Sequence, residues 1–245
     1  MGRGERTGQD SVARPRSIAH GRTLRGELER QTQLQGDKTW LIFERVSGDT
    51  RAWTYRQFRD AVYQAAHLLQ EAGVGPGDKL LLHLTNCPEF LILWFAAASI
   101  GAVIVPTNPL AAPAELEYLC EHSEAVLVVV GADALDRANH LRVHCPRVRD
   151  VIVCGPQGPD RAEESDPGSA IDFTQALATM PTHPPDVRPL PDDDIAVMYT
   201  SGTTSKPKGC LITNMNYVHV GEAVAAHMGV TPADRLLAVL PLFHG

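Results

Sequence analysis

Phe90–Val105 reads FLILWFAAASIGAVIV, sixteen residues without a charge, and the way this run breaks decides the fold. A bilayer span needs about 20 apolar residues, and here Gly101 interrupts the run and Pro106 closes it. The break predicts a helix from Pro88 to Ile100 buried on every face, then a buried strand over Ala102–Val105, and no transmembrane segment. Pro88 suits a first helical turn, where its missing N–H costs nothing, and Asn86 stands just upstream as a candidate cap. Further on, Ala125–Val130 (AVLVVV) is apolar without polar alternation, as a parallel strand covered on both faces requires.

Helices and strands alternate outward from these two runs. Toward the N-terminus, Leu80–Leu84 predicts a strand after a Gly75-Pro76-Gly77-Asp78 turn. Before it, Thr54 caps a helix whose Phe58, Val62, Ala65, Ala66 and Leu69 follow the helical period up to Gly73. Trp40–Phe43 and Arg51–Thr54, separated by Ser47-Gly48-Asp49, predict a hairpin. Toward the C-terminus, helices are expected over Pro113–His122, Asp133–His144 and Met215–Met228, with strands over Val151–Cys154, Ile195–Tyr199 and Leu236–Leu240. Gly155–Ser169 reads as a surface loop, and the proline-rich Pro181–Asp194 as a stiff connector. The class is α/β, with a mostly parallel sheet covered by helices.

Residues 1–20, where Arg3, Arg6, Arg14 and Arg16 lie among Gly, Ser and Pro, read as a disordered tail. Residues 21–245 then form one domain. A last strand over Leu236–Leu240 with no covering helix leaves that domain partial.

Of 245 residues, 44% are hydrophobic and 21% charged, which excludes a chain disordered throughout. The net charge of −7 argues against a nucleic-acid partner. Five cysteines at wide spacings, with no CxxC, point to a reducing, cytoplasmic compartment and to no zinc site. No secretory leader pattern is present at the N-terminus.

The chemistry concentrates in Tyr199-Thr200-Ser201-Gly202-Thr203-Thr204-Ser205-Lys206-Pro207-Lys208-Gly209. Glycines let a backbone approach a ligand closely, N–H groups and hydroxyls can wrap phosphate oxygens, and lysines add mobile positive charge. An ordinary polar turn needs none of this pairing of hydroxyls with two lysines between a strand and a helix. The spacing is not that of a Walker A loop, and no G-x-G-x-x-G occurs. The residues alone therefore point to phosphate binding by a non-Walker loop.

This loop resembles the signature of the adenylate-forming superfamily, an aromatic or Leu followed by T-S-G-T-T-G-x-P-K-G, with Ser205 in place of a glycine. Trp53-Thr54-Tyr55, Gly77-Asp78-Lys79, Gly101–Pro109 (GAVIVPTNP) and Pro241-Leu242-Phe243-His244 are similar to further family segments in the same order. Asn86-Cys87-Pro88-Glu89-Phe90, with Ser205 and the PLFH end, looks closest to the crotonobetaine/carnitine–CoA ligase branch. The resemblance implies an acid–thiol ligase that uses ATP and Mg²⁺ to make an acyl-adenylate from a small carboxylic acid, then an acyl-CoA with coenzyme A. It implies that Thr200, Ser201, Gly202, Thr203, Thr204, Ser205, Lys206, Lys208 and Gly209 bind the nucleotide phosphates. Thr204 would join the metal shell, and Lys208 and His244 would be the catalytic residues. It also implies that the chain is the first half of the large N-terminal domain and inactive alone, either a truncated chain or one completed by a separately encoded second half. The alternative is a non-catalytic ATP-binding or interaction module.

Other candidates carry less. His140 and His144 are spaced i,i+4 without an HExxH glutamate, and His219 and His227 are too far apart for a zinc pair. Asp192-Asp193-Asp194 reads as solvated charge, and no cysteine has an evident base to make it a nucleophile.

Overall fold

The computed structural model describes residues 21–45, 47–155, 170–200 and 206–244. The expected tail (1–20) and most of the expected surface loop (156–169) lie outside them. Helix α1 (Leu24–Gln35) opens the fold, and β1 (Thr39–Glu44) and β2 (Thr50–Thr54) form the expected antiparallel hairpin. Next come α2 (Tyr55–Glu71), β3 (Lys79–His83), α3 (Pro88–Ser99), β4 (Val103–Pro106), α4 (Pro113–Ser123) and β5 (Ala125–Gly131). The chain continues with α5 (Leu135–His144), β6 (Asp150–Cys154), β7 (Ile171–Asp172), α6 (Phe173–Thr179), β8 (Asp194–Thr200), β9 (Lys208–Thr213) and α7 (Asn214–Met228).

Strands β3 to β9 make one sheet in the order β7-β6-β5-β3-β4-β8-β9, parallel throughout except for the β8–β9 pair. Side chains alternate faces along a strand, and both faces are buried across β3 to β6. On β3, Leu80 and Leu82 join the core beneath α2 and α3, while Leu81 joins the core beneath α4 and α5. That two-sided burial is why these strands read as unbroken apolar runs. Helix α3 is apolar on nearly every side, with Phe90, Leu93, Ala96 and Ala97 fully buried. Thr54 starts α2 with a capping box, accepting from the Gln57 N–H while the Gln57 side chain accepts from the Thr54 N–H.

The structure corrects four expectations. Residues 236–240 are not a strand: Leu236, Leu237, Val239 and Leu240 are extensively exposed and join no ladder. The sheet order ends at β9, whose outer edge they leave uncovered. Asn86 does not cap α3, whose N-cap is Cys87 with no side-chain bond. Both halves of the Asn86 amide are engaged elsewhere. Its Nδ2 donates to the Leu240 carbonyl at 2.9 Å, and its Oδ1 accepts from the Leu242 N–H at 2.8 Å. Thirdly, the lysine-bearing loop does not lead straight into a helix; it returns as β9. Finally, α1 goes unsignalled in the sequence because only Leu28 and Thr32 bury on it. Polar bonds hold it instead: Arg25 Nη1 donates to the carbonyls of Pro185 (3.0 Å) and Val187 (2.6 Å), which also pins the proline-rich connector.

Candidate active site

In an open α/β sheet, ligands gather beyond the carboxyl ends of strands where successive connections leave toward opposite faces. Here β3 connects through α3 on one face while its neighbour β5 connects through α5 on the other, so the switch point lies at the carboxyl ends of β3 and β5, with β4 beside them. Strand β8 runs parallel to β4, so Thr200 at its end projects beyond the same edge. Three signature segments therefore lie along that carboxyl edge: the end of β8, the Thr107-Asn108-Pro109 turn after β4, and the PLFH segment tied to Asn86 after β3.

Between the ends of β3 and β4 lies a buried polar network that sequence reasoning missed. The Thr107 hydroxyl donates to the Leu82 carbonyl at 3.2 Å, which leaves its oxygen to accept from His83 Nδ1 at 2.9 Å. His83 Nε2 is then the free acceptor, and Arg137 Nη1 meets it at 3.0 Å while also donating to the Pro109 carbonyl at 2.9 Å. Burial, and then the Arg137 charge, push the His83 imidazole down to about 4, so it stays neutral. The one signal in the sequence was a histidine ending an otherwise apolar strand.

Of the nucleotide-binding candidates, Ser201, Gly202, Thr203, Thr204 and Ser205 lie outside the described residues. Thr200 and Lys208 face one another as the last cross-strand pair of the β8–β9 hairpin. Lys208 is exposed at this mouth, and so is Lys206, which precedes it. The Lys206 ammonium sits over the Tyr118 ring, 4.9 Å from its centroid. Gly209 lies opposite Tyr199, and a Cβ there would come within 2.7 Å of Val197 Cγ1 and 3.4 Å of the Tyr199 ring. Strand packing alone therefore demands a glycine. Gly209→Ala is expected to lower stability by about 1–3 kcal/mol in urea unfolding, the usual cost of overpacking.

His244 is exposed, and its N–H donates to the Pro241 carbonyl at 3.2 Å in a turn. Asn86 brings that turn to the sheet edge. Just after β9, Asn214 is fully buried; its Oδ1 accepts from the Leu24 N–H and its Nδ2 donates to the Leu190 carbonyl. It joins α1, α7 and the connector, which is structural work.

The remaining candidates separate from the site. His140 stacks on His144 (3.9 Å between centroids) and pairs with Glu117 at 2.9 Å. Among the described residues no group of three or more His, Cys, Asp or Glu is placed to hold a metal ion. Cys87, Cys120, Cys145 and Cys154 are buried, and burial pushes each thiol up, away from the reactive thiolate. No helix among the described residues is long and apolar enough to cross a membrane.

The pattern of the AMP-binding enzyme family matches residues 28–245. A crotonobetaine/carnitine–CoA ligase of Salmonella paratyphi B is 33% identical over 235 residues, covering 93% of this chain and 43% of that protein. The chain thus spans less than half the length of the curated relatives it matches. The N-terminal domain of FACL13 from Mycobacterium tuberculosis superposes with a TM-score of 0.76 at 28% identity, covering 91% of this chain and 52% of that one. The anthranilate CoA ligase AuaEII, solved with anthranoyl-AMP, gives a TM-score of 0.76 at 25% identity over 91% of this chain and 41% of that one.

Proposed function

Because the chain belongs to the AMP-binding enzyme family, we propose that it is the phosphate-gripping part of an ATP-dependent acid–thiol ligase. In that reaction a carboxylate attacks the α-phosphate of MgATP, pyrophosphate leaves, and a thiol displaces AMP to give a thioester. Coenzyme A is the acceptor in this reading, and a small polar acid of the carnitine type is the substrate, by likeness to the ligase relatives. The observation that carries it is the hairpin mouth, where Thr200, Lys206 and Lys208 stand at the carboxyl end of β8, beyond that of β4. A hydroxyl and two exposed cations suit polyphosphate oxygens, and their charge falls where negative charge accumulates on departing pyrophosphate. Ser201 to Ser205 would supply further hydroxyl and N–H donors, with Thr204 beside the Mg²⁺ that arrives with the nucleotide, and Gly209 behind them. His244 would line the way from phosphate to acyl group.

In this reading residues 21–245 are part of one AMP-binding domain, the protein works in the cytoplasm, and a complementary half of the fold is the partner that completes the site. Supporting that partner, Val220, Val224 and Met228 form an i, i+4, i+8 apolar stripe exposed on α7, and Leu236, Leu237, Val239 and Leu240 are exposed after it. The relatives are also more than twice as long.

The test is competition for bound MgATP. Pyrophosphate should displace it and adenosine should not, because the grip supplied here is on the phosphates. Displacement by adenosine alone would refute the assignment.

A further inference from the structure

Helix α4 carries Tyr118 and His122 one turn apart, and both reach the β8–β9 hairpin at its mouth. On the outgoing strand, the Tyr199 hydroxyl and His122 Nδ1 are 2.7 Å apart, with the two rings edge to face at 5.7 Å. On the returning side, the Tyr118 hydroxyl donates to the Pro207 carbonyl at 3.2 Å, and the Tyr118 ring lies beneath Lys206. The Tyr118 and His122 rings contact each other, 5.2 Å between centroids. Burial, with a smaller contribution from Tyr118, pushes the Tyr199 phenol up to about 12, so it remains a neutral hydroxyl at working pH. One helical turn thus grips both stems of the hairpin, which its own β ladder joins only as far as Thr200 and Lys208.

We infer that Tyr118 is a positioning residue for the phosphate grip: its ring and hydroxyl fix Lys206 and Pro207 at the hairpin mouth before a polyphosphate arrives. A lysine on a flexible stem loses side-chain entropy when it binds, and a stem already held loses less. The ring face stabilises the ammonium without neutralising it, so the charge stays available to the ligand. A carboxylate in the same place would compete with the phosphate. His122 and Tyr199 fix the opposite stem, which sets the width of the mouth. This inference rests on the phosphate-binding reading above.

The experiment is titration of the full chain with magnesium pyrophosphate by calorimetry. Tyr118→Leu removes ring and hydroxyl and is expected to weaken binding about five- to tenfold. Tyr118→Phe keeps the ring, folds isosterically, and should lose only about two- to threefold. In a Lys206→Ala background the ring has nothing to hold, so Tyr118→Leu should cost no more than Tyr118→Phe does in the wild type. Leu116→Ala, which opens the core under the same helix without touching the hairpin, should lower thermal stability and leave affinity unchanged. Equal effects of Tyr118→Leu with and without Lys206, or an affinity loss in Leu116→Ala matching that of Tyr118→Leu, would overturn the inference. So would tighter binding in Tyr118→Leu. If Lys206→Ala weakens binding while both Tyr118 variants bind like wild type, the clamp fails and the phosphate reading stands. If the wild-type chain binds no pyrophosphate, both fail together.

Discussion

Incubated with ATP, Mg²⁺, coenzyme A and a panel of small carboxylic acids, the purified chain is expected to form no acyl-CoA, at least ~10³-fold below a complete ligase. In-line transfer requires nucleotide, acid and thiol to be oriented together, and positioning of that kind accounts for about 7–11 kcal/mol of a barrier. In the proposed reading the hairpin mouth holds only the phosphates. By family resemblance, the adenine, ribose and acyl contacts and a second catalytic lysine lie beyond the PLFH segment. The ligase relatives are long enough to include such a portion, since this chain covers 43% of their length. Closure of a second domain, which would exclude water from the adenylate, also needs that portion. The check is mass-spectrometric detection of thioester together with AMP release. Coupled formation of both at an ordinary enzymatic rate would show that the chain assembles its own site.

The second large effect is on stability and involves His83. In the fold its imidazole is held neutral, with Nε2 facing Arg137 and a pKa depressed to about 4, against an unfolded value near 6.5. Between those two values the unfolded chain binds a proton that the folded chain refuses. The stabilisation is therefore whole above pH 6.5 and is lost as pH falls from 6.5 to about 4. The shift corresponds to roughly 3 kcal/mol, an order-of-magnitude figure at 1.36 kcal/mol per unit. Urea unfolding at a series of pH values should show this loss in the wild type. His83→Gln, which cannot titrate, should be less stable at pH 7 yet flatter across the same window. Parallel pH profiles for the two proteins would remove His83 from the account; Glu27, whose pairing with Arg22 lowers its pKa, gives up its contribution only below the ordinary carboxylate value.

Much of the fold was legible because burial on both faces of a sheet leaves a strong mark. Leu80–Leu84, Ala102–Val105, Ala125–Val130 and Val151–Cys154 read as strands since no polar residue had to alternate within them. Elements that do not depend on an apolar face left a fainter mark. Helix α1 is held by Arg25 bonds to backbone carbonyls far along the chain, and β9 is a pale strand whose Lys208, Gly209, Cys210 and Leu211 are all exposed. The 236–240 segment erred the other way. Its apolar run promised a strand, yet the segment pairs with no strand of the sheet and leaves the outer edge of β9 uncovered.

The site divides similarly. Its hydroxyls and lysines could be picked out by composition, since few polar turns need both. Their setting could not: a hairpin stem explains Gly209 by the Val197 side chain across the ladder, which no count of glycines reveals. The roles of Tyr118, His122, His83 and Arg137 come from contacts between residues distant in sequence. Asn86 was visible as a helix-start residue and does a different job, because two backbone groups of the PLFH segment outcompete the helix for its amide.

The central claim is that the β8–β9 hairpin mouth holds nucleotide phosphates, and equilibrium binding of MgATP to the wild-type chain and to Lys208→Ala tests it most directly. Lys208 is exposed at the end of a ladder, so its loss should leave circular dichroism and thermal midpoint unchanged. Removing one of two phosphate-facing cations is expected to weaken MgATP at least about tenfold, the scale of a charge-assisted contact. Tight, specific MgATP binding that is identical in the two proteins would contradict the claim.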